Sequence, residues 1–269
     1  MISSALITKN HWLIKSHTNM KVTTKTLQKH KLPDLSADVN KFLKHSNDLG
    51  SYCMQEEILL DFTKKYPGHD IYEAVEIKAK LLNMFYSTGI QAIDAMVKNI
   101  MSIIDIDKIL QEPKYNRELI DAIAELKLKD DKMRNNYSFA TKHCALHQPE
   151  KYPIYDSIVA AILTKLMKTD QLPPFKLKRK TSNPSSDTYM TQGEFETMLR
   201  NYDSFVKVYD VFMADYGLKG KFSYRIVDWY LWGSYKNGNI DTEIEKLTRL
   251  NRNKYVPYSP KEVIKTKNI

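Results

Sequence analysis

The chain has 269 residues and a formal net charge of +9, with 42% hydrophobic and 27% charged residues, a balance that is globular rather than disordered. Only 8 glycines, and no GxGxxG or GxxxxGK[ST] string, argue against a doubly wound nucleotide-binding sheet. The two cysteines, Cys53 and Cys144, are too few for a four-thiolate centre and fit reduced thiols of a cytoplasmic protein, while no apolar run approaches the about 18 residues of a membrane span.

The elements are read in chain order. Residues 1–34 form a basic extension, with Lys9, Lys15, Lys21, Lys25, Lys29 and Lys31 ahead of the first acid, Asp34. MISSALITKNHWLIK has no continuous apolar core, so a secretory signal is not expected. A short helix starts over Val39 to Leu43. Tyr52 to Phe62 places Met54, Ile58, Leu59 and Phe62 at helical spacing and ends at Pro67-Gly68. The stretch DIYEAVEIKAKLLNMFYS presents Ile71, Val75, Ile77, Leu81, Leu82 and Phe85 as one wide face, with Asp70 and Glu73 spaced as a capping box. After Gly89, IQAIDAMVKNIMSII restarts the pattern, Asp105 to Leu110 is a short segment closed by Pro113, and Asn116 to Leu126 is a further amphipathic helix.

Helices are predicted near Phe139–His147 and Ser157–Lys168. The segment QLPPFKLKRKTSNPSSD then reads as a basic loop or linker carrying Lys176, Lys178, Arg179 and Lys180. Glu194 to Tyr216 is one long helix ended by Gly217 and Gly220. SYRIVDWYLWGSYK is an aromatic helix, and Asp241 to Leu250 a last polar one. With no sustained alternating pattern, the fold class is all-α. The organisation is a basic extension (1–34), a helical core (35–168), a basic loop or linker (169–188) and a C-terminal helical portion packing on the core (189–269). Three separate basic clusters suit a polyanion, because each neutralised phosphate releases condensed counterions.

The chemistry concentrates in SFATKHCALHQPEKYPIYDSIVAAIL. Lys142 stands among apolar residues. It can snorkel its ammonium to the surface, or it can be a desolvated amine of lowered pKa, suited to attack an electrophilic carbon. Pro153 forces an extended step, which puts Asp156 at a helix start. There its carboxylate caps free N–H groups, and it stays ionised, as a group stabilising a sugar cation must. His143 and His147 lie at i and i+4 but lack the carboxylate of a metal motif, and neither metal nor cofactor is expected. Interleaved Tyr224, Arg225, Trp229, Tyr230, Trp232 and Lys236 either stack on bases or pack the last helix onto the domain.

From Ile71 to Leu166 the pattern resembles the helix-hairpin-helix DNA glycosylase superfamily. LLNMFYSTGIQAIDAMVKNIMSI matches its paired apolar helices, and YSFATKHCALHQPEKYPIYDSIVAAIL its hairpin, helix and Pro-Val-Asp-like step. The glycines usual in the family's hairpin are absent from NNYSFATK; Asn135 and Asn136 tolerate the left-handed backbone such a turn needs. The resemblance implies a two-lobed helical domain and excision of a damaged or modified base, flipped from double-stranded DNA, by a monomeric enzyme. It assigns Asp156 to the sugar cation and Lys142 to a Schiff-base (lyase) route. His147, Tyr152 and Tyr155 would contact the base or sugar, and Asn135, Asn136, Ser138 and the Lys176–Lys180 cluster the DNA. A non-catalytic helical nucleic-acid-binding protein is the alternative reading, and a helical module that binds an acidic protein a third.

Overall fold

The computed structural model describes residues 34–44, 51–128, 131–168, 176–177 and 188–237. Helices α1 (Ser36–Lys44), α2 (Ser51–Lys65), α3 (Tyr72–Tyr86), α4 (Ile93–Met101), α5 (Ile106–Gln111) and α6 (Arg117–Ala124) come first. A two-stranded ribbon, β1 (Glu125–Lys127) and β2 (Met133–Asn135), leads into α7 (Tyr137–His147) and α8 (Ser157–Lys168). A second ribbon, β3 (Lys176–Leu177) with β4 (Thr188–Tyr189), precedes α9 (Gln192–Leu199), α10 (Tyr202–Asp215) and α11 (Tyr224–Asn237). The described chain is predominantly helical, as the periodicity predicts.

Helix α7 is the internal strut. Nine of its residues, Tyr137 and Phe139 to Leu146, are buried, so it has no solvent face and no amphipathic stripe. The elements around it explain themselves locally. Helix α6 starts where Asn116 Oδ1 accepts the Leu119 N–H at 3.0 Å, and it buries Leu119, Ile120 and Ile123. It ends earlier than predicted. Leu126 belongs to β1, where strand alternation exposes Glu125 and Lys127 and buries Leu126. Register pairs Glu125 with Asn135 and Lys127 with Met133, and the Asn136 N–H donates to the Ala124 carbonyl at 2.8 Å, closing the ribbon at the start of α7. The connection between α6 and α7 is therefore a β-hairpin.

Other expectations are corrected by the packing. Ile71 is the N-cap of α3 and no side chain bonds to its free amides, so Asp70 is not the predicted cap. Ile71 and Ile77 face solvent, whereas Val75, Ala79 and Leu82 are buried; on α2, Met54 and Ile58 are exposed and Leu59 is buried. The long helix predicted over 194–216 is two helices. Asn201 interrupts it, its side chain accepting the Ser204 N–H at 3.1 Å to start α10, and Thr191 with Glu194 forms a capping box on α9. Lys176 lies in β3 rather than in a loop. Residues 1–33, Lys178, Arg179, Lys180 and the helix predicted over 241–250 lie outside the described residues, as does the Lys176 side chain.

One buried cluster joins all of this. It runs from Leu35 and Val39 through Val97, Ile120 and Phe139 to Phe205, Phe212 and Val227. Tyr202 and Tyr209 of α10 and Tyr216 at its C-cap are fully buried, with Phe205 meeting Tyr209 edge-on at 5.7 Å. Helix α1 is tied to the far end of the chain: the Leu35 N–H donates to the Tyr216 carbonyl at 3.0 Å, and Lys221 pairs with Asp34 at 2.9 Å. Gly217 has φ +69°, and a Cβ there would sit 2.8 Å from the Asp34 carboxylate, so this turn requires glycine twice over.

Candidate functional site

Lys142 and Asp156 come together because two hydroxyls tie the Pro153 step to the core. The Thr141 hydroxyl accepts the Tyr155 N–H at 3.1 Å and lies 3.3 Å from the Tyr155 carbonyl and 3.0 Å from that of Ser138. The Tyr202 hydroxyl donates to the Pro153 carbonyl at 3.0 Å. With the extended segment held against α7, Asp156 caps α8: its Oδ1 accepts the Val159 N–H at 2.8 Å. Its other oxygen, Oδ2, lies 3.9 Å from Lys142 Nζ, and both side chains are largely shielded, at 4% exposure for Lys142 and 14% for Asp156.

Lys142 Nζ also donates to Ser138 Oγ at 2.8 Å and sits 5.7 Å from the centre of the Tyr86 ring. Burial holds its pKa below that of an ordinary lysine, while the Asp156 and Asp228 carboxylates pull it back up. Asp228 on α11 is fully enclosed. Burial, then the nearby Asp156 charge, pushes its carboxyl well above the usual range against the pull of Lys142. Its Oδ1 has no hydrogen-bond partner among the described residues. Behind Tyr86, Glu56 receives a hydrogen bond from the Tyr86 hydroxyl and pairs with Arg225. Of the two readings of the α11 stripe, Arg225 and Tyr230 follow packing onto the domain: Arg225 forms a buried ion pair and Tyr230 is packed inside.

A cleft of about 370 Å³ opens beside this pair. Its walls are Tyr137, Ser138 and Phe139 of α7, Asn135 and Asn136 of the hairpin, Thr88 of the α3–α4 loop, and Tyr155 with Arg200. Thr88 is fixed in place by Asn83: the Thr88 hydroxyl donates to Asn83 Oδ1 at 2.9 Å, and the same oxygen accepts the Ile90 N–H at 2.9 Å. Of the predicted residues, Asn135, Asn136, Ser138 and Tyr155 share this cleft. Lys142 and Asp156 do not line it: Lys142 is linked to it through Ser138, whose Oγ accepts from Nζ at 2.8 Å, and Asp156 follows Tyr155 in the chain. Tyr152 does not reach the cleft: it is 1% exposed, and its hydroxyl accepts the Asn116 N–H at 3.0 Å. Sequence reasoning missed Thr141, Thr88 and Arg200. An exposed arginine after a short helix carries no local signal, and neither does a threonine beside a lysine.

His147 is also away from the cleft, in a cluster with His143 and His69. His69 comes from the loop between α2 and α3, and its Nε2 lies 2.9 Å from His143 Nε2. Its Nδ1 lies 2.6 Å from the Asp107 carboxylate. Lys78 Nζ donates to the Tyr66 and Gly68 carbonyls at 3.1 and 2.9 Å and lies 3.5 Å from His147 Nε2. Burial keeps all three imidazoles below their usual pKa, hence neutral at pH 7. It also lowers Lys78 to about 8.

Comparison with known proteins adds a partial match. The family model described as HI_0787_N, N-terminal domain, matches residues 38–151, a span that contains Lys142 and the three histidines and stops before Asp156. A Haemophilus influenzae protein named only "Uncharacterized protein" is 33% identical over 150 residues, 56% of this chain and 60% of that protein. The match thus spans less than two thirds of the relative's length. No solved structure matches.

Proposed function

We propose that this chain is a DNA glycosylase of the helix-hairpin-helix type, with two helical lobes meeting at the cleft, that excises a damaged or modified base from duplex DNA. The observation that carries the reading is the pairing of a desolvated Lys142 with a helix-capping Asp156 at 3.9 Å, with Lys142 hydrogen-bonded to Ser138 of the cleft wall. A flipped nucleotide would enter that cleft. The C1′–N bond breaks with the electron pair leaving on the base, and the positive charge that develops at the sugar is stabilised by the Asp156 carboxylate. Water then adds to C1′ and its proton leaves through the same carboxylate. If the Ser138 hydroxyl turns aside, Lys142, having given a proton to the Asp156 carboxylate, attacks C1′ in place of water; a proton then passes to the ring oxygen O4′, the C1′–O4′ bond breaks, and a Schiff base is left.

The hairpin and Arg200 would hold the backbone on one side of the cleft, with Asn135, Asn136 and Ser138 as the nearest donors. The Lys176–Lys180 cluster would add phosphate contacts, and binding would weaken steeply with salt. The test is release of free base from duplexes carrying oxidised, alkylated or otherwise modified bases, with abasic sites as the readout. Asp156→Asn is expected to abolish release and to leave DNA binding intact; release at the wild-type rate would refute the assignment. Borohydride trapping decides between routes: an adduct lost in Lys142→Ala supports the Schiff base, and no adduct with the wild type means direct hydrolysis. DNA binding without release on any duplex would favour a non-catalytic role.

A further inference from the structure

We infer that His69, His143 and His147 form a binding site for a borderline divalent metal ion, zinc first among them. Their ligand nitrogens lie within 4.8 Å of one another, and the three rings approach pairwise with centroids 4.6 to 5.1 Å apart. Zinc–imidazole bonds of about 2.0–2.1 Å on a tetrahedral ion put neighbouring nitrogens roughly 3.4 Å apart. The His69–His143 pair, at 2.9 Å, has to open by about half an ångström, and the remaining distances close by side-chain torsion.

Two of the three tautomers favour the same reading. The His69 Nδ1–H donates to Asp107, which leaves His69 Nε2 as a lone pair; it accepts from His143 Nε2 at 2.9 Å, so metal binding shifts the His143 proton to Nδ1, which has no partner among the described residues. A carboxylate on the outer nitrogen is the arrangement that orients metal-binding imidazoles generally. His147 Nε2 faces the Lys78 ammonium, so it too presents a lone pair. An all-nitrogen donor set selects zinc, cobalt, nickel or copper over magnesium or calcium. The three nitrogens leave the fourth tetrahedral position to water or another small ligand. The Lys78 ammonium, 3.5 Å from His147 Nε2, opposes a cation. On metal binding its ammonium loses a proton or withdraws toward the Tyr66 and Gly68 carbonyls that it already contacts. The ion would clamp the α2–α3 loop to α7 at His143, the residue next to Lys142. This site does not depend on the glycosylase reading.

The test is titration of chelator-stripped full-length chain with Co²⁺, followed by Zn²⁺. One tight equivalent is expected, with the strong visible absorption of a tetrahedral cobalt site, bleached by zinc. Four further histidines, His11, His17, His30 and His45, lie outside the described residues, so the variants assign the site. His69→Gln and His147→Gln should lose that equivalent. Asp107→Asn, at a half-exposed position that leaves the core intact, should weaken zinc binding by about 10- to 100-fold. Lys78→Met should tighten it. A wild-type chain with no tight tetrahedral cobalt site overturns the inference, and so does an equivalent that survives in folded His69→Gln.

Discussion

Replacing Thr141 by valine tests whether one hydroxyl places Asp156. Valine keeps the buried volume and removes the oxygen that accepts the Tyr155 N–H at 3.1 Å. Stranding that amide costs about 1–3 kcal/mol, and the lost donation to the neighbouring carbonyl about 0.5–1.5 kcal/mol more, for roughly 2–4 kcal/mol in all. Thr141→Ser is the matched control. It keeps the hydroxyl and deletes one buried methyl, a loss of about 1 kcal/mol. Urea unfolding reads both, with a shifted midpoint and an unchanged slope indicating a pure stability change. If the clamp positions Asp156, base release should also fall in the valine variant and not in the serine one, since a displacement of about 1 Å can cost 100-fold in rate. A serine variant as destabilised as the valine one, or a valine cost under about 1 kcal/mol, would mean that packing and not the hydroxyl holds the segment.

The two roles of Asp156 separate by stability. Asp156→Asn keeps an oxygen for the Val159 N–H and should change unfolding free energy by only a few tenths of a kcal/mol from the cap. Asp156→Ala loses the cap and should cost about 1 kcal/mol; equal losses would remove the capping assignment. Lys78 gives a pH test in the presence of chelator. Its pKa is about 8 when folded and 10.5 when free, so between those values the unfolded chain binds a proton that the folded chain has released. Stability should therefore rise with pH across that window and fall again as pH drops toward 8. Urea midpoints of Lys78→Met should lack that rise relative to wild type.

Much of the fold was legible because helices announce themselves by period. Helix α8 runs from Ser157 to Lys168 as predicted, and the Asp156 cap follows from Pro153 alone. The β-hairpin was hidden because Leu126 is in phase with Ile123 on a helix and equally in place as the inward residue of a three-residue strand. The break between α9 and α10 was hidden for a similar reason: the apolar spacing continues across Asn201, and only the side-chain bond to Ser204 marks the new start. The exposed Met54, Ile58 and Ile77 show the limit of apolar stripes, since the neighbours that cover one side of a helix are chosen by tertiary packing. The histidine cluster was half visible. His143 and His147 are one turn apart, but His69 is 74 residues away from His143 and no local spacing announces it.

The bond between Ser36 and Gly217 spans 181 positions. At about 5–20 residues per second, synthesis of the intervening chain takes roughly 10 to 35 seconds. Through that interval Leu35 and Val39, before and within α1, have no α10–α11 surface to cover them, and their docking must wait until almost every other described element has been made. Closing so long a loop also carries an entropic cost, one that grows only slowly with length. Chains truncated before Tyr216 will therefore leave the Val39 face of α1 without the α10–α11 surface that covers it, and will be more prone to aggregate during translation.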